Sequence, residues 1–146
     1  MALKSTIYKA DLQLADLDRH VYADYPLTLA RHPSETEERL MVRIVAFGLH
    51  AHERLAFGPG LSDADEPCLW QRDLTGAIER WIEVGLPDER HLARACGRAD
   101  EVVVIAYGRG MDVWWKNIAS SLTRLRNLVV LRLPEDGTQA LAALVQ

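Results

Sequence analysis

The sequence predicts an α/β fold in which a hairpin of two N-terminal strands precedes a mixed sheet with flanking helices. Three observations support this prediction. The second half of the chain alternates strand-like with helix-like segments, and its apolar run EVVVIAY is typical of a parallel strand covered on both faces. The first 30 residues contain two strand-like runs around a polar turn. The 146 residues, 49% hydrophobic and 26% charged, predict one domain spanning 1–146 and argue against a disordered or fibrous chain.

The strands of the hairpin are predicted at 4–14 and 21–30, joined by the polar segment 16–20. Pro26 lies inside the second strand and has no N–H to donate, so we expect it at a sheet edge or a bulge. The hairpin either extends the sheet of the second half or packs beside it.

The first helix is predicted from a capping box at Ser34 and Glu37 to about Leu55. Acidic side chains in the first turn favour the positive end of the helix dipole. Apolar and small residues at helical spacing predict one continuous buried face, comprising Met41, Ile44, Val45, Gly48, Leu49 and His52.

The second half predicts a β-α-β-α-β unit after a long Gly-, Asp- and Pro-rich loop at 58–76. The expected segments are strands at 78–85, 101–107 and 128–133 and helices at 88–99, 111–125 and 138–146. Right-handed crossovers would make 78–84, 102–107 and 128–133 a parallel sheet.

The charge balance restricts the function classes. A net charge of −4 excludes a strongly basic nucleic-acid coat but permits a local basic groove. Of the 17 basic residues only Lys4, Lys9 and Lys116 are lysines, so chemistry that needs an amine has few candidates. Cys68 and Cys96 form no CxxC pair, which predicts reduced thiols and a cytoplasmic protein. Neither a signal-peptide core nor a membrane span is predicted.

Two acids on one predicted strand are candidate site residues. Strict alternation places Glu79 and Glu83 on the same face with Trp81 between them. At about 3.3 Å per residue they are roughly 13 Å apart, so sharing one ion would require a bulge or partners from another element. The alternative is that both acids face solvent on an open side of the sheet.

Glu38 is a third candidate because it lies in the helical stripe of Met41, Val45 and His52. A helix acid that points toward a sheet acid is a suitable oxygen site for Mg²⁺. The alternative is that Glu38 only interacts with the helix dipole, as Glu35 and Glu37 do.

The strings LTLARHPSETEER, WIEVGLPDER and ARACGRADEVVVIAY, followed by Trp114 and Trp115, resemble the YaeQ family of bacterial proteins. The resemblance covers nearly the whole chain. It implies a variation of the PD-(D/E)XK, restriction-endonuclease-like fold. Members of the family continue beyond this C-terminus with strand-forming sequence, so the resemblance implies a shortened or rearranged end at 138–146.

The resemblance also implies roles for individual residues. Glu38 resembles the helix acid of the nuclease fold, and Glu83-Val84-Gly85 resembles (D/E)XK. Asp73 or Glu79 would stand for the first acid. Together these acids would hold Mg²⁺.

The lysine of the (D/E)XK motif is replaced by Gly85. Lys4 or Lys9 would supply the amine only if the first strand neighbours 78–84.

Arg90, Arg94 and Arg98 form a row with one-turn spacing on the helix that follows this strand. Such a row requires anionic partners, either carboxylates of the chain or phosphates of a nucleic acid.

Two functional hypotheses follow. The first is a Mg²⁺-dependent phosphodiesterase or nuclease, in which the metal activates water. The second is a non-catalytic binding or regulatory module that has kept the fold and lost the lysine.

Overall fold

The computed structural model describes residues 4–58 and 66–145. Its elements follow along the chain as β1 (Thr6–Asp16), β2 (Val21–Arg31), α1 (Glu37–Leu49), β3 (Leu55–Phe57), β4 (Leu69–Arg72), β5 (Ile78–Val84), α2 (Glu89–Arg98), β6 (Ala99–Ala106), α3 (Met111–Leu122), β7 (Leu128–Arg132) and α4 (Glu135–Ala142). None of these helices is long and apolar enough to cross a membrane.

The larger sheet has five strands in the order β3-β4-β5-β6-β7. β3, β4 and β5 pair antiparallel, whereas β5, β6 and β7 pair parallel through the crossover helices α2 and α3. The mixed α/β architecture and the predicted parallel unit are therefore confirmed. As its apolar run predicts, the central strand β6 is buried on both faces over its second half.

The hairpin forms a separate two-stranded sheet and packs beside the larger one. β1 and β2 pair antiparallel over their full length, so the predicted hairpin is confirmed. Leu27 and Leu29 of β2 enter the same buried cluster as Ile82 of β5. Within the described residues β2 pairs only with β1, which leaves Pro26 on an edge strand as expected.

Two buried clusters lie on opposite faces of the five-stranded sheet. Alternation sends Ile82 and Val103 toward α1 and the hairpin, and sends Val102 and Val104 toward α2 and α3. The sheet is thus the middle layer of the protein.

The predicted beginning of α1 is wrong. Thr36, rather than Ser34, is the cap: its Oγ1 accepts a hydrogen bond of 3.1 Å from the backbone N–H of Arg39. The Ser34 hydroxyl instead lies 2.7 Å from Nδ1 of His32, in a turn closed by a bond from Glu35 N to His32 O. This turn delays the helix and buries Glu35.

The predicted end and buried face of α1 also need correction. The helix ends at Leu49, and Leu55 begins β3. Leu49 is 44% exposed. The fully buried positions are Leu40, Val42, Arg43, Ala46 and Phe47.

The remaining boundary corrections are small. The predicted loop at 58–76 contains strand β4, and its residues 59–65 lie outside the described part of the chain. The last helix begins at Glu135 rather than at 138.

Candidate functional site

Glu83 is the buried centre of a polar cluster near the carboxyl end of β5. The Glu83 side chain is 10% exposed. Oε1 accepts a hydrogen bond of 2.8 Å from the indole N–H of Trp81 and lies 2.8 Å from Nε2 of His91. Oε2 lies 3.6 Å from the thiol of Cys68. Protein groups therefore occupy both carboxylate oxygens.

Local structure explains how these partners meet. Trp81 and Glu83 are two residues apart on β5, so alternation places both side chains on one face. Asp88 caps α2 by accepting a bond of 2.7 Å from the backbone N–H of His91. The cap holds His91 in the first turn of α2, above the end of β5.

Cys68 occupies the position across from Glu83. It directly precedes β4, in which Leu69 pairs with Ile82. Its Sγ lies 2.9 Å from Nη2 of Arg39. Burial, and then the nearby Glu83 carboxylate, raise the pKa of the thiol to about 11. At neutral pH this neighbour of Glu83 is therefore an uncharged thiol.

A buried ionic group, formed by Glu35 in the turn before α1 and two arginines of α1, continues the cluster. Glu35 is 3% exposed and its carboxylate pairs with both Arg39 and Arg43, the latter at 2.7 Å. Arg31 donates to the backbone oxygen of Glu35 at 3.0 Å, and Arg43 to that of Ala30 at 3.0 Å. This group ties the hairpin to α1, and Arg39 ties α1 to Cys68 and the sheet.

Sequence reasoning missed the members of this cluster other than Glu83. The first-turn position of Glu35 predicts only an interaction with the helix dipole. The signal for its buried ion pairs is the presence of arginines four and eight residues later. His91 stands three residues after Asp88, a cap spacing that places it in a first turn. Nothing in the sequence pairs Cys68 with β5.

Glu79 does not share the environment of Glu83. Arg72 pairs with Ile78 and Gln71 with Arg80, so Glu79 is the extra residue of a β-bulge. Ile78 and Trp81, three residues apart, both pack on the α2 side, which strict alternation does not allow. The prediction that Glu79 and Glu83 share a face is therefore wrong.

The Glu79 carboxylate is bound by neighbours of its own. It accepts a bond of 2.8 Å from Arg54 and one of 3.3 Å from Gln71. These bonds, that of Arg54 first, lower the pKa of Glu79. Glu79 thus joins the residue before β3 to β4 and to the amino end of β5.

Asp73 and Glu38 also have separate partners. Oδ1 of Asp73 accepts from the hydroxyl and the backbone N–H of Thr75 and from Ala77 N, and the Thr75 hydroxyl contributes most to lowering the pKa of Asp73. Oε2 of Glu38 lies 3.2 Å from the hydroxyl of Thr138 on α4. Across residues 4–58 and 66–145, no three His, Cys, Asp or Glu side chains are grouped to hold a metal. The structure does not bring the four predicted acids together.

The lysine candidates lie away from Glu83. Lys9 belongs to β1, in the hairpin sheet, and Lys4 precedes that strand; both are exposed. The condition under which either would supply an amine, a first strand that neighbours β5, is not met. Gly85 has φ +105°, a conformation that disfavours any side chain. The backbone at this position therefore favours glycine over lysine.

The arginine row borders an aromatic surface. Arg90, Arg94 and Arg98 are exposed on α2. The Arg98 guanidinium lies 5.0 Å from the centre of the Trp81 ring, and the Arg72 guanidinium lies 4.2 Å from that of Trp70. Trp70 pairs with Trp81 across β4 and β5. We call these residues, Arg72, Trp70 and the three α2 arginines, the α2 surface.

The chain is similar in sequence to known bacterial proteins. A family model described as YaeQ protein matches residues 1–146. The Uncharacterized protein YaeQ of Salmonella typhi is 50% identical over 141 residues, which are 96% of this chain and 77% of the relative. The protein of the same name from Escherichia coli K12 is 46% identical over 144 residues, 98% of this chain and 80% of the relative.

Two crystal structures share the fold. The YaeQ protein of Xanthomonas axonopodis pv. citri superimposes with a TM-score of 0.93 at 52% identity and covers 97% of this chain and 81% of its own. The YaeQ protein of Pseudomonas syringae gives a TM-score of 0.94 at 43% identity, with 97% and 79% covered.

Proposed function

We propose that this chain, which belongs to the YaeQ family, is a non-catalytic binding module on a PD-(D/E)XK-like fold and binds nucleic acid through the α2 surface. The element order α1, antiparallel strands through β5, α2 and parallel β6 supports the assignment to that fold. The same proposal places the protein in the cytoplasm, where thiols such as those of Cys68 and Cys96 stay reduced.

The observation that carries the non-catalytic part is the state of Glu83. A nuclease of this type needs a carboxylate with oxygens available to Mg²⁺, a second acid beside it and an amine near the attacking water. The Glu83 oxygens instead face Trp81, His91 and Cys68. The residue next to Glu83 on the β4 side is Cys68, whose thiol is neutral. Gly85 stands where the (D/E)XK motif has its lysine.

The nucleic-acid part rests on the chemistry of the α2 surface. Residues 90–99 contain three arginines and no acid. Arginine binds phosphates through its planar group of donors, and Trp70 adds an aromatic face at the same surface. Phosphate contacts of this kind position a nucleic acid without reading its sequence.

The test is fluorescence anisotropy with labelled oligothymidylate, a DNA duplex and an RNA hairpin, each titrated at several salt concentrations. Arg94→Glu should weaken binding by about tenfold and reduce the salt slope by about one per lost phosphate contact. Lys9→Glu is the matched control, since it makes the same charge change at an exposed site on the hairpin. No measurable binding, or equal weakening by both variants, would reject the proposal.

The Mg²⁺-dependent phosphodiesterase is the second candidate. It is favoured by the place of Glu83 near the carboxyl end of a parallel strand, where α/β proteins commonly bind ligands. Cleavage of labelled DNA and RNA with Mg²⁺ or Mn²⁺, comparing the wild type with Glu83→Ala, separates the candidates. A binding module gives equal background in both proteins, whereas cleavage that needs both the metal and Glu83 establishes the enzyme.

A further inference from the structure

We propose that the outer edge of β7 binds an extended acidic peptide of a partner protein, which adds as a sixth strand and places its apolar side chains in a groove beside Trp115. The α2 surface consists of residues of β4 and α2 and the residue after β4, whereas this surface is the outer edge of β7, so the inference goes beyond the proposed function.

The backbone of β7 is open on its outer side. Within the described chain, β7 pairs only with β6. Val102 N donates to Asn127 O at 2.9 Å, and Leu133 N donates to Ala106 O at 2.9 Å. Because a parallel strand alternates its bonding direction, residues 127, 129, 131 and 133 face β6. Val130 and Arg132 therefore direct their N–H and C=O groups outward, toward any added strand.

An apolar groove runs beside this edge, between β7 and α3. It consists of two adjoining cavities of about 190 and 440 Å³ that share Trp115 and Val130. Met111 and Trp114 line the first cavity, and Leu122 lines the second. Trp115 is 45% exposed, a large fraction for its size. Alternate side chains of an added strand would point into this groove.

The exposed basic residues near the β7 edge favour an acidic partner. Residues 109–132 contain five basic residues, three of which already pair with acids of the chain: Arg109 with Glu135, Arg124 with Glu89 and Arg132 with Asp112. The other two, Lys116 on α3 and Arg126 just before β7, are exposed and pair with no acid among the described residues. A second copy would bring its own Arg126 to the same edge, and like charges on paired strands are unfavourable. A peptide with glutamates or aspartates between apolar residues fits both the charge and the groove.

The probe is a fluorescein-labelled peptide that alternates Glu with Val and Ile, followed by fluorescence anisotropy. A version with Lys in place of Glu tests charge, and a version with alternate backbone nitrogens methylated tests strand addition. We expect each change to weaken binding by at least about tenfold, as will Trp115→Ala. Lys116→Glu should weaken binding of the acidic peptide, and Lys9→Glu on the hairpin is its matched control.

Hydrogen exchange of the β7 amides gives an independent readout. The peptide should slow exchange at Val130 and Arg132, whose N–H groups point outward. It should leave Val129 and Leu131 unchanged, because these already bond to β6. This pattern would also support the proposal if the Trp115 variant failed to fold.

Three results would overturn the proposal. The first is that the acidic peptide does not bind, or binds equally well when N-methylated. The second is that oligothymidylate binds at Trp115 in preference to the peptide, which would make this edge a nucleic-acid surface. The third is sedimentation as a dimer that Trp115→Ala dissociates, which would mean that a second copy covers the groove.

Discussion

Nε2 of His91 lies 2.8 Å from Oε1 of Glu83, so the first turn of α2 is bonded to the end of β5. The backbone N–H of the same histidine donates to its cap, Asp88. A short loop thereby holds strand and helix at a defined angle. The contact also occupies one of the two carboxylate oxygens of Glu83.

His91→Ala should lower the free energy of unfolding by about 1 to 3 kcal/mol, because it removes a partner from a buried carboxylate. Urea denaturation measures the change. His32→Ala is the control, since its imidazole bonds Ser34 in an exposed turn and a change there should stay within about 0.5 kcal/mol. Equal effects of the two substitutions would show that the bond to Glu83 adds no stability.

The helix cap gives a second prediction. Thr36→Ala should cost about 1 kcal/mol, because Thr36 bonds the free N–H of Arg39 at the beginning of α1. Ser34→Ala is the matched control and should cost less, since Ser34 does not cap the helix. The urea midpoints of the two variants decide between them. A larger loss of unfolding free energy for Ser34→Ala than for Thr36→Ala would instead support the capping box at Ser34 and Glu37.

The two thiols should differ in reactivity. Cys68 is buried and its raised pKa, about 11, leaves almost no thiolate at neutral pH. Cys96 is partly exposed. Titration of the native protein with a disulfide reagent should therefore modify Cys96 first, and Cys68 only after denaturant is added. Cys96→Ser should abolish the fast phase. Fast reaction of that variant would place Cys68 at the surface.

His50 should make the protein less stable in acid. Burial, and then the nearby Arg80, lower the pKa of His50 from 6.5, and its Nε2 is a buried nitrogen without a hydrogen-bond partner in the described residues. The unfolded chain therefore takes up the proton first as the pH falls. The protein therefore has its full stability above the pKa that His50 has in the unfolded chain. It loses stability as the pH falls from there toward the lower pKa of His50 in the folded protein.

The measurement is the unfolding free energy between about pH 7.5 and pH 5 for the wild type and His50→Gln. The variant should lose less stability across this range than the wild type. His32→Gln serves as the control at an exposed turn. Identical slopes for the wild type and His50→Gln would exclude His50 as the group responsible.

Two glycines test whether the backbone at Gly85 tolerates a side chain. Gly85→Ala should cost about 1 to 3 kcal/mol, because φ at this position is +105° although no atom lies within 4 Å of an added Cβ. Gly97→Ala meets equally open space inside α2 and should raise stability by about 0.5 to 1 kcal/mol. Thermal denaturation of both variants separates backbone strain from crowding. A neutral Gly85→Ala would mean that a lysine fits this backbone.

The local sequence pattern correctly predicts the elements whose hydrophobic periodicity extends over many residues. The hairpin, the apolar strand β6 and the beginning of α2 near residue 88 are predicted correctly, because each depends on neighbours along the chain. The beginning of α1 was misplaced, because Ser34 and Thr36 are both acceptable caps. The turn that buries Glu35 decides between them, and its arginine partners are set by tertiary packing.

The sequence by itself determined the parallel β-α-β-α-β unit and the position of Glu83 on its first strand, since hydrophobic period and crossover handedness are local or nearly local properties. Only the tertiary structure decided which groups surround that acid. A one-residue bulge at Glu79 reverses which face a side chain takes, and the pairing of β4 with β5 places a thiol rather than a carboxylate beside Glu83. Contacts between segments that are distant in the chain produce no periodic pattern in the sequence. The groups that surround Glu83 are therefore defined only by the pairing of the strands in the folded protein.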